Sequence, residues 1–230
     1  AALIAVLHRN VIEVLSNPNL FSENPYWSLG SLAIPLSVIW IVAITNAVNL
    51  IDGLDGLAVG VATISSLTML VIAMLVSEGM VALMMAALAG GCIGFMPYNM
   101  NPAKIFMGDT GSTFLGFILA VVSIQGLFKF YTIISFAVPF LMLGLPLFDT
   151  CFAILRRLSK GQSPMAPDRS HVHHRLIDMG FSQKQAVAIL YVVSAILGLS
   201  AVVLTTSGAL KAIVLLCALC LTGVISAKIF

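Results

Sequence analysis

SLAIPLSVIWIVAITNAVNLIDGLDG, residues 31–56, decides how this chain is read. Residues 32–48 carry no charge, and the run ends on two amides, Asn46 and Asn49, and two carboxylates, Asp52 and Asp55. Such a run is long enough to approach a membrane crossing when its flanks are added. Charged groups at membrane depth are costly, so they face water or a cavity and are commonly functional. The glycines at 53, 56 and 60 let the backbone turn and let a ligand come close. The plain alternative is a helix end where the chain meets water.

The rest of the chain is of the same kind. Of its 230 residues, 60% are hydrophobic and 9% charged, with a formal net charge of +2. No water-soluble domain needs so much apolar surface, and no nucleic-acid partner is expected. Seven apolar segments are candidate spans, at 32–48, 57–76, 80–97, 114–128, 132–155, 185–206 and 209–230. The first and fourth are short and call on flanking residues. Pro139 and Pro146 predict a kink in the fifth. The chain opens AALIAV, without Met or a basic leader segment, which reads as the tail of an earlier helix rather than a signal peptide. The expected fold is an all-α, polytopic integral membrane helical bundle: about seven full transmembrane helices plus part of an eighth, with N-terminal helices missing. Residues 1–230 form a single membrane-embedded domain.

Alternation of the spans sorts the loops. Residues 8–31, 77–79, 129–131 and 207–208 fall on one side; 49–56, 98–113, 156–184 and the C-terminus fall on the other. The 156–184 loop holds six basic residues against two acidic ones, a net of +4, and Lys/Arg-rich loops stay cytoplasmic. Every chemically interesting loop is therefore expected on the cytoplasmic face. Tyr26 and Trp27 precede a span, where aromatic residues anchor helices at the interface.

Two further stretches carry chemistry. In PYNMNPAKIFMGDTGS, residues 97–112, Asp109 stands at a helix start. It reads either as an N-cap or as a hard oxygen ligand for Mg²⁺, which takes one or two carboxylates and leaves its other positions to water and substrate phosphates. Phe106 is placed to stack on a base. In SPMAPDRSHVHHRL, residues 163–176, His171, His173 and His174 stand beside Arg169 and Arg175. A structural zinc wants four N/S ligands and no Cys lies near, whereas arginines suit bidentate phosphate recognition; phosphate binding is the favoured reading over metal ligation. Asp149, in the kinked fifth span, is expected either to pair with Arg156 or Arg157 or to line the same cavity. Cys217 and Cys220 form a CxxC in an apolar run, read as helix packing.

TNAVNLIDGLDGLAVG (45–60), FMGDTGSTFLG (106–116) and PDRSHVHHRL (167–176), in this order, resemble the polyprenyl-phosphate N-acetylhexosamine-1-phosphate transferases, glycosyltransferase family 4. The resemblance runs through essentially the whole chain. It implies transfer of a sugar-1-phosphate from a UDP-sugar to undecaprenyl phosphate with release of UMP, using Mg²⁺, with Mn²⁺ as the alternative ion. The His-x-His-His-Arg form of the last motif resembles the branch that uses UDP-N-acetylglucosamine for O-antigen, common antigen or teichoic acid linkage. By motif, Asp109 would ligate Mg²⁺, with Asp52 as a second metal ligand, and Asp52, Asp55 and Asp109 would be the catalytic carboxylates. Phe106 would sit against the uracil with Asn99 bonding near it. Asn46 and Asn49 would lie behind the aspartates, and His171, His173, His174 and Arg175 would grip the sugar diphosphate. The resemblance places the protein in the bacterial inner membrane with its site on the cytoplasmic face, with a homodimer as a candidate assembly. One departure stands out. The family's paired aspartates of an earlier span have no counterpart, because no Asp-Asp occurs in these 230 residues. Two competing readings remain at this stage. One is a transporter with broken helices, against which no inverted repeat is visible; the other is an inactive homologue.

Overall fold

The computed structural model describes residues 1–8, 10–16, 26–126, 137–159, 161–163 and 171–205. The expected span at 209–230, with Cys217 and Cys220, and Arg169 of the histidine loop lie outside the described residues. Within them the chain forms α1 (Ala2–Leu7), α2 (Ala33–Leu50), α3 (Leu57–Leu75), α4 (Gly79–Asn99), α5 (Gly108–Gly126), α6 (Ala137–Met142), α7 (Gly144–Ser159), α8 (Val172–Asp178) and α9 (Gln183–Thr205). Among the described residues, four stretches are long and apolar enough to cross a membrane: Gly30–Leu50, Leu57–Leu75, Gly79–Asn99 and Gln183–Thr205. The protein is a polytopic helical membrane protein, as its composition demands.

The sequence expectation needs correction in detail at three places. The loop at 8–31 contains a short antiparallel pair, β1 (Val14–Ser16) with β2 (Tyr26–Ser28), in register Val14 to Ser28. The fourth span begins at Gly108 rather than 114, because the polar turn Gly-Asp-Thr-Gly-Ser-Thr joins the helix instead of preceding it. The fifth is not one kinked helix but two, α6 and α7, broken at Leu143. Pro146 has no N–H to give the Met142 carbonyl four residues back. Ser65 of α3 supplies the missing donor, Oγ to Met142 O at 3.1 Å. A proline break at membrane depth persists where a neighbouring helix satisfies the freed carbonyl.

Helix contact rests on small residues, as expected where lipid removes the hydrophobic drive for association. A Cβ on Gly116 of α5 would lie 2.8 Å from Thr45 Cα and 3.0 Å from the Thr45 carbonyl oxygen, so α2 and α5 meet backbone to backbone there. Further along that seam the buried Trp40 indole donates to Ser123 Oγ at 2.9 Å. On the other side, α3 meets α4 and α9. A Cβ on Gly60 would overlap the Tyr191 ring of α9. These contacts bring the C-terminal ends of α2 and α4 and the N-terminal ends of α3, α5 and α9 to one end of the bundle.

Candidate active site

The turn at 51–56 is the hub of that end. Its reversal depends on Gly56, whose φ of 82° lies in the left-handed region that glycine alone adopts without cost. The turn is then tied to four neighbours. Tyr191 Oη of α9 donates to the Gly56 carbonyl at 2.5 Å. Asp55 Oδ2 accepts from Asn101 Nδ2 at 3.0 Å and from the Ala103 backbone N–H at 3.1 Å. Asn101 also donates to Gln183 Oε1 at 2.7 Å. At the end of α2, Asn49 Nδ2 reaches α5, contacting Ser112 Oγ at 2.8 Å and Asp109 Oδ1 at 3.2 Å. The fourth tie is steric: a Cβ on Gly53 would overlap Nε2 of His173.

The three sequence motifs thus meet, but their residues divide into two kinds. Asp52 and Asp109 form the charged part. Burial raises the Asp52 carboxyl above its ordinary range, and the negative charges of Asp109 and then Asp55 raise it further. Like charges gathered this way favour a proton or a cation between them. Asp109 is exposed in the first turn of α5, and its first turn also holds Thr113 Oγ1 on the Asp109 carbonyl at 2.5 Å. Among the described residues no group of three His, Cys, Asp or Glu side chains could enclose a metal. A dedicated all-protein cage is therefore absent there, but the two carboxylates suit Mg²⁺, which is held by one or two carboxylates together with substrate phosphates. Asp55 is occupied differently, since its Oδ2 anchors the 101–103 backbone.

Several expected ligands already have protein partners in this arrangement. Asn99 is buried, and its Nδ2 donates to the Ile105 carbonyl at 3.0 Å, closing the loop after α4. Its Oδ1 is buried without a protein partner. Asn46 turns back on its own helix, Nδ2 to Val42 O at 2.7 Å. Phe106 is 75% exposed. It stands at an apolar cavity of about 600 Å³ between α3, α4 and α5, with Met107, Gly111 and Phe114. That cavity accepts hydrocarbon or an aromatic ring and offers nothing for phosphate.

The histidines meet the turn through His173, which packs against Gly53. His171 is buried, and its Nδ1 lies 2.9 Å from Asp149 Oδ2. His171 and His173 stack in parallel at 5.8 Å between ring centroids, and His173 meets His174 at 4.3 Å. Burial lowers His173 to a pKa of about 4, helped by His174 and against the pull of Asp149; it is a neutral ring at physiological pH. Arg175 follows in the same short helix, α8. The pairing of Asp149 with His171 was not legible, because 22 residues separate the two; nor were the contacts of Ser112, Asn101 and Tyr191. Only Ser112 had a local signal, standing three residues after Asp109 on the same helix face.

The family model of glycosyl transferase family 4 matches residues 1–127. The chain belongs to this family. A Bacillus subtilis relative named probable undecaprenyl-phosphate N-acetylglucosaminyl 1-phosphate transferase is 46% identical over 181 residues, 79% of this chain and 51% of the relative. A Mycolicibacterium smegmatis decaprenyl-phosphate N-acetylglucosaminephosphotransferase is 38% identical over 69% of this chain and 44% of its own length. A Nostoc punctiforme phospho-N-acetylmuramoyl-pentapeptide-transferase is 36% identical over 74% and 46%. The family and the branch read from the motifs are borne out. This family-4 chain spans about half the length of the curated relatives it matches.

Proposed function

We propose that the protein transfers N-acetylglucosamine-1-phosphate from UDP-N-acetylglucosamine to undecaprenyl phosphate, giving undecaprenyl-diphospho-N-acetylglucosamine and UMP. The observation that carries this is the gathering of Asp52, Asp109 and His173 at the 51–56 turn. An oxygen of the lipid phosphate attacks the sugar-bearing phosphorus, the bridging P–O bond to the uridine phosphate breaks, and UMP leaves. We assign the donor side of this site to the present residues. Asp52 and Asp109 would hold Mg²⁺, which when bound neutralises charge on the diphosphate. The neutral rings of His173 and His174 hydrogen-bond sugar or phosphate oxygens without adding charge, and Arg175 supplies a fixed cation. Asp55 and Asn99 hold the 100–107 loop that presents Phe106 to the base. The site lies on the cytoplasmic face of a bacterial inner membrane, where both the nucleotide sugar and the lipid phosphate reach it.

The test is release of UMP from UDP-N-acetylglucosamine by the full-length protein in detergent with undecaprenyl phosphate and Mg²⁺. The triple change of His173, His174 and Arg175 to alanine should weaken UDP-N-acetylglucosamine more than UMP in titration calorimetry. No turnover with any UDP-hexosamine would overturn the activity, and equal losses for both ligands would move α8 away from the diphosphate.

A further inference from the structure

Asp149 is 3% exposed, and nothing in the proposed transfer uses it directly. A carboxylate buried in a membrane helix is costly unless its oxygens are paired. Both oxygens are engaged by the same neighbouring segment. Oδ2 meets His171 Nδ1 at 2.9 Å, and Oδ1 accepts the Val172 backbone N–H at 2.9 Å. Val172 is the first residue of α8, and His171, its N-cap, makes no side-chain cap bond of its own. Asp149 therefore satisfies from α7 one of the backbone N–H groups left without an intrahelical partner at the start of α8. An ionised carboxylate only accepts, so against an ionised Asp149 the contact at Nδ1 requires the His171 proton to sit there. His171 in turn stacks in parallel on His173, and His173 fills the space over Gly53.

We propose that Asp149 is a positioning residue of the transfer site, setting the tautomer of His171 and the start of α8 and so the placement of His173 against the 51–56 turn. This rests on the transferase reading above. The arrangement is that of a carboxylate orienting an imidazole through Nδ1, in which the carboxylate acts by orientation and not by touching substrate.

Asp149→Asn separates the two roles in the full-length protein. Its Oδ1 can still accept from Val172, so α8 keeps its start, but its Nδ2 presents a donor to His171 Nδ1 and forces the proton to Nε2. The expected result is unchanged thermal unfolding and a kcat lowered on the order of ten- to a hundredfold, the loss typical when an orienting partner is removed. KM for UDP-N-acetylglucosamine should change less than the kcat. Nitrogen-15 spectra of histidine-labelled protein, with His171 assigned through His171→Gln, should show Nδ1–H in the parent and Nε2–H in the variant. Wild-type kcat in Asp149→Asn, or an unchanged His171 tautomer, would overturn the proposal. So would a fall in activity matched by loss of folded protein. If the parent turned over no UDP-hexosamine, the transferase reading would fall with it, while the spectra would still decide whether Asp149 sets the tautomer.

Discussion

His173 occupies the space that a side chain on Gly53 would need: a Cβ there would overlap its Nε2. The glycine of the first motif and the histidine of the last are thus two halves of one contact. Since packed atoms in such a contact cannot be moved without displacing one partner, the two positions are energetically one unit.

It follows that Gly53→Ala should displace α8 while leaving the spans folded. Transfer should fall on the order of ten- to a hundredfold, the cost of about an ångström of misplacement. Combined with His173→Ala the loss should be strongly non-additive, since contacting residues couple. Additive losses in a double-mutant cycle on kcat/KM would show that the two do not meet in the working enzyme.

Asp109→Asn keeps an oxygen for Asn49 to donate to, and removes only the charge. The fold should survive, and activity should drop on the order of a hundredfold if the carboxylate holds a metal that stabilises the transferring phosphoryl group. Chelation of Mg²⁺ should abolish turnover in the parent. Near-parent rates for Asp109→Asn at saturating Mg²⁺ would contradict this.

Asp55→Ala should act through the loop it anchors. The Ala103 amide, bonded to Asp55 Oδ2 at 3.1 Å, should lose protection in hydrogen exchange. Retained protection at Ala103 would mean the loop is held by other bonds.

His173 carries a pH prediction with a definite sign. Its folded pKa of about 4 lies below the ordinary 6.5, so the unfolded chain binds the proton first. The native state is favoured fully above pH 6.5, and that contribution is lost as pH falls from about 6.5 to 4. His173→Gln should flatten the fall in thermal stability over this window. Asp52 runs the other way. Its raised carboxyl favours the native state below the ordinary carboxylate range and costs stability as pH rises through the folded value. The two slopes can be told apart by Asp52→Asn.

The elements that were legible are those whose signal is local. Long apolar runs gave α3, α4 and α9 nearly to the residue, and the motif at 45–56 marked the hub. The β pair was hidden because its strands have three residues each and no alternating pattern. The broken fifth span was half legible: Pro146 marked a kink, but a full break depends on Ser65 from another helix, which no local pattern shows. Among the site residues, spacing within one motif grouped Asn49, Asp52 and Asp55, and the shared side of the loops and the family resemblance added Asp109. It could not say that Asp55 is tied up by Asn101 and Ala103, or that Asn46 bonds back to α2. Those assignments depend on which way each side chain points once the helices pack.

The final prediction concerns the packing itself. Gly116 and Gly94 are both in helix interiors, yet their surroundings differ. A Cβ on Gly116 would meet Thr45 backbone atoms at 2.8 and 3.0 Å, and the Ile44 carbonyl at 3.1 Å, whereas a Cβ on Gly94 has nothing within 4 Å. Backbone cannot rotate aside as a flexible side chain does, so Gly116→Ala must push α2 and α5 apart. That should cost about 1–3 kcal/mol, the usual range for overpacking. It should also stretch the link from Asn49 to Asp109 and Ser112, since these lie at the end of the same seam. Gly94→Ala adds a methyl to open space and removes backbone freedom from the unfolded chain, a gain of about 0.5–1 kcal/mol. Thermal unfolding of the two variants in the same detergent should therefore move in opposite directions, with activity lost only in Gly116→Ala. Equal shifts would mean that α2 and α5 are not in backbone contact at Thr45.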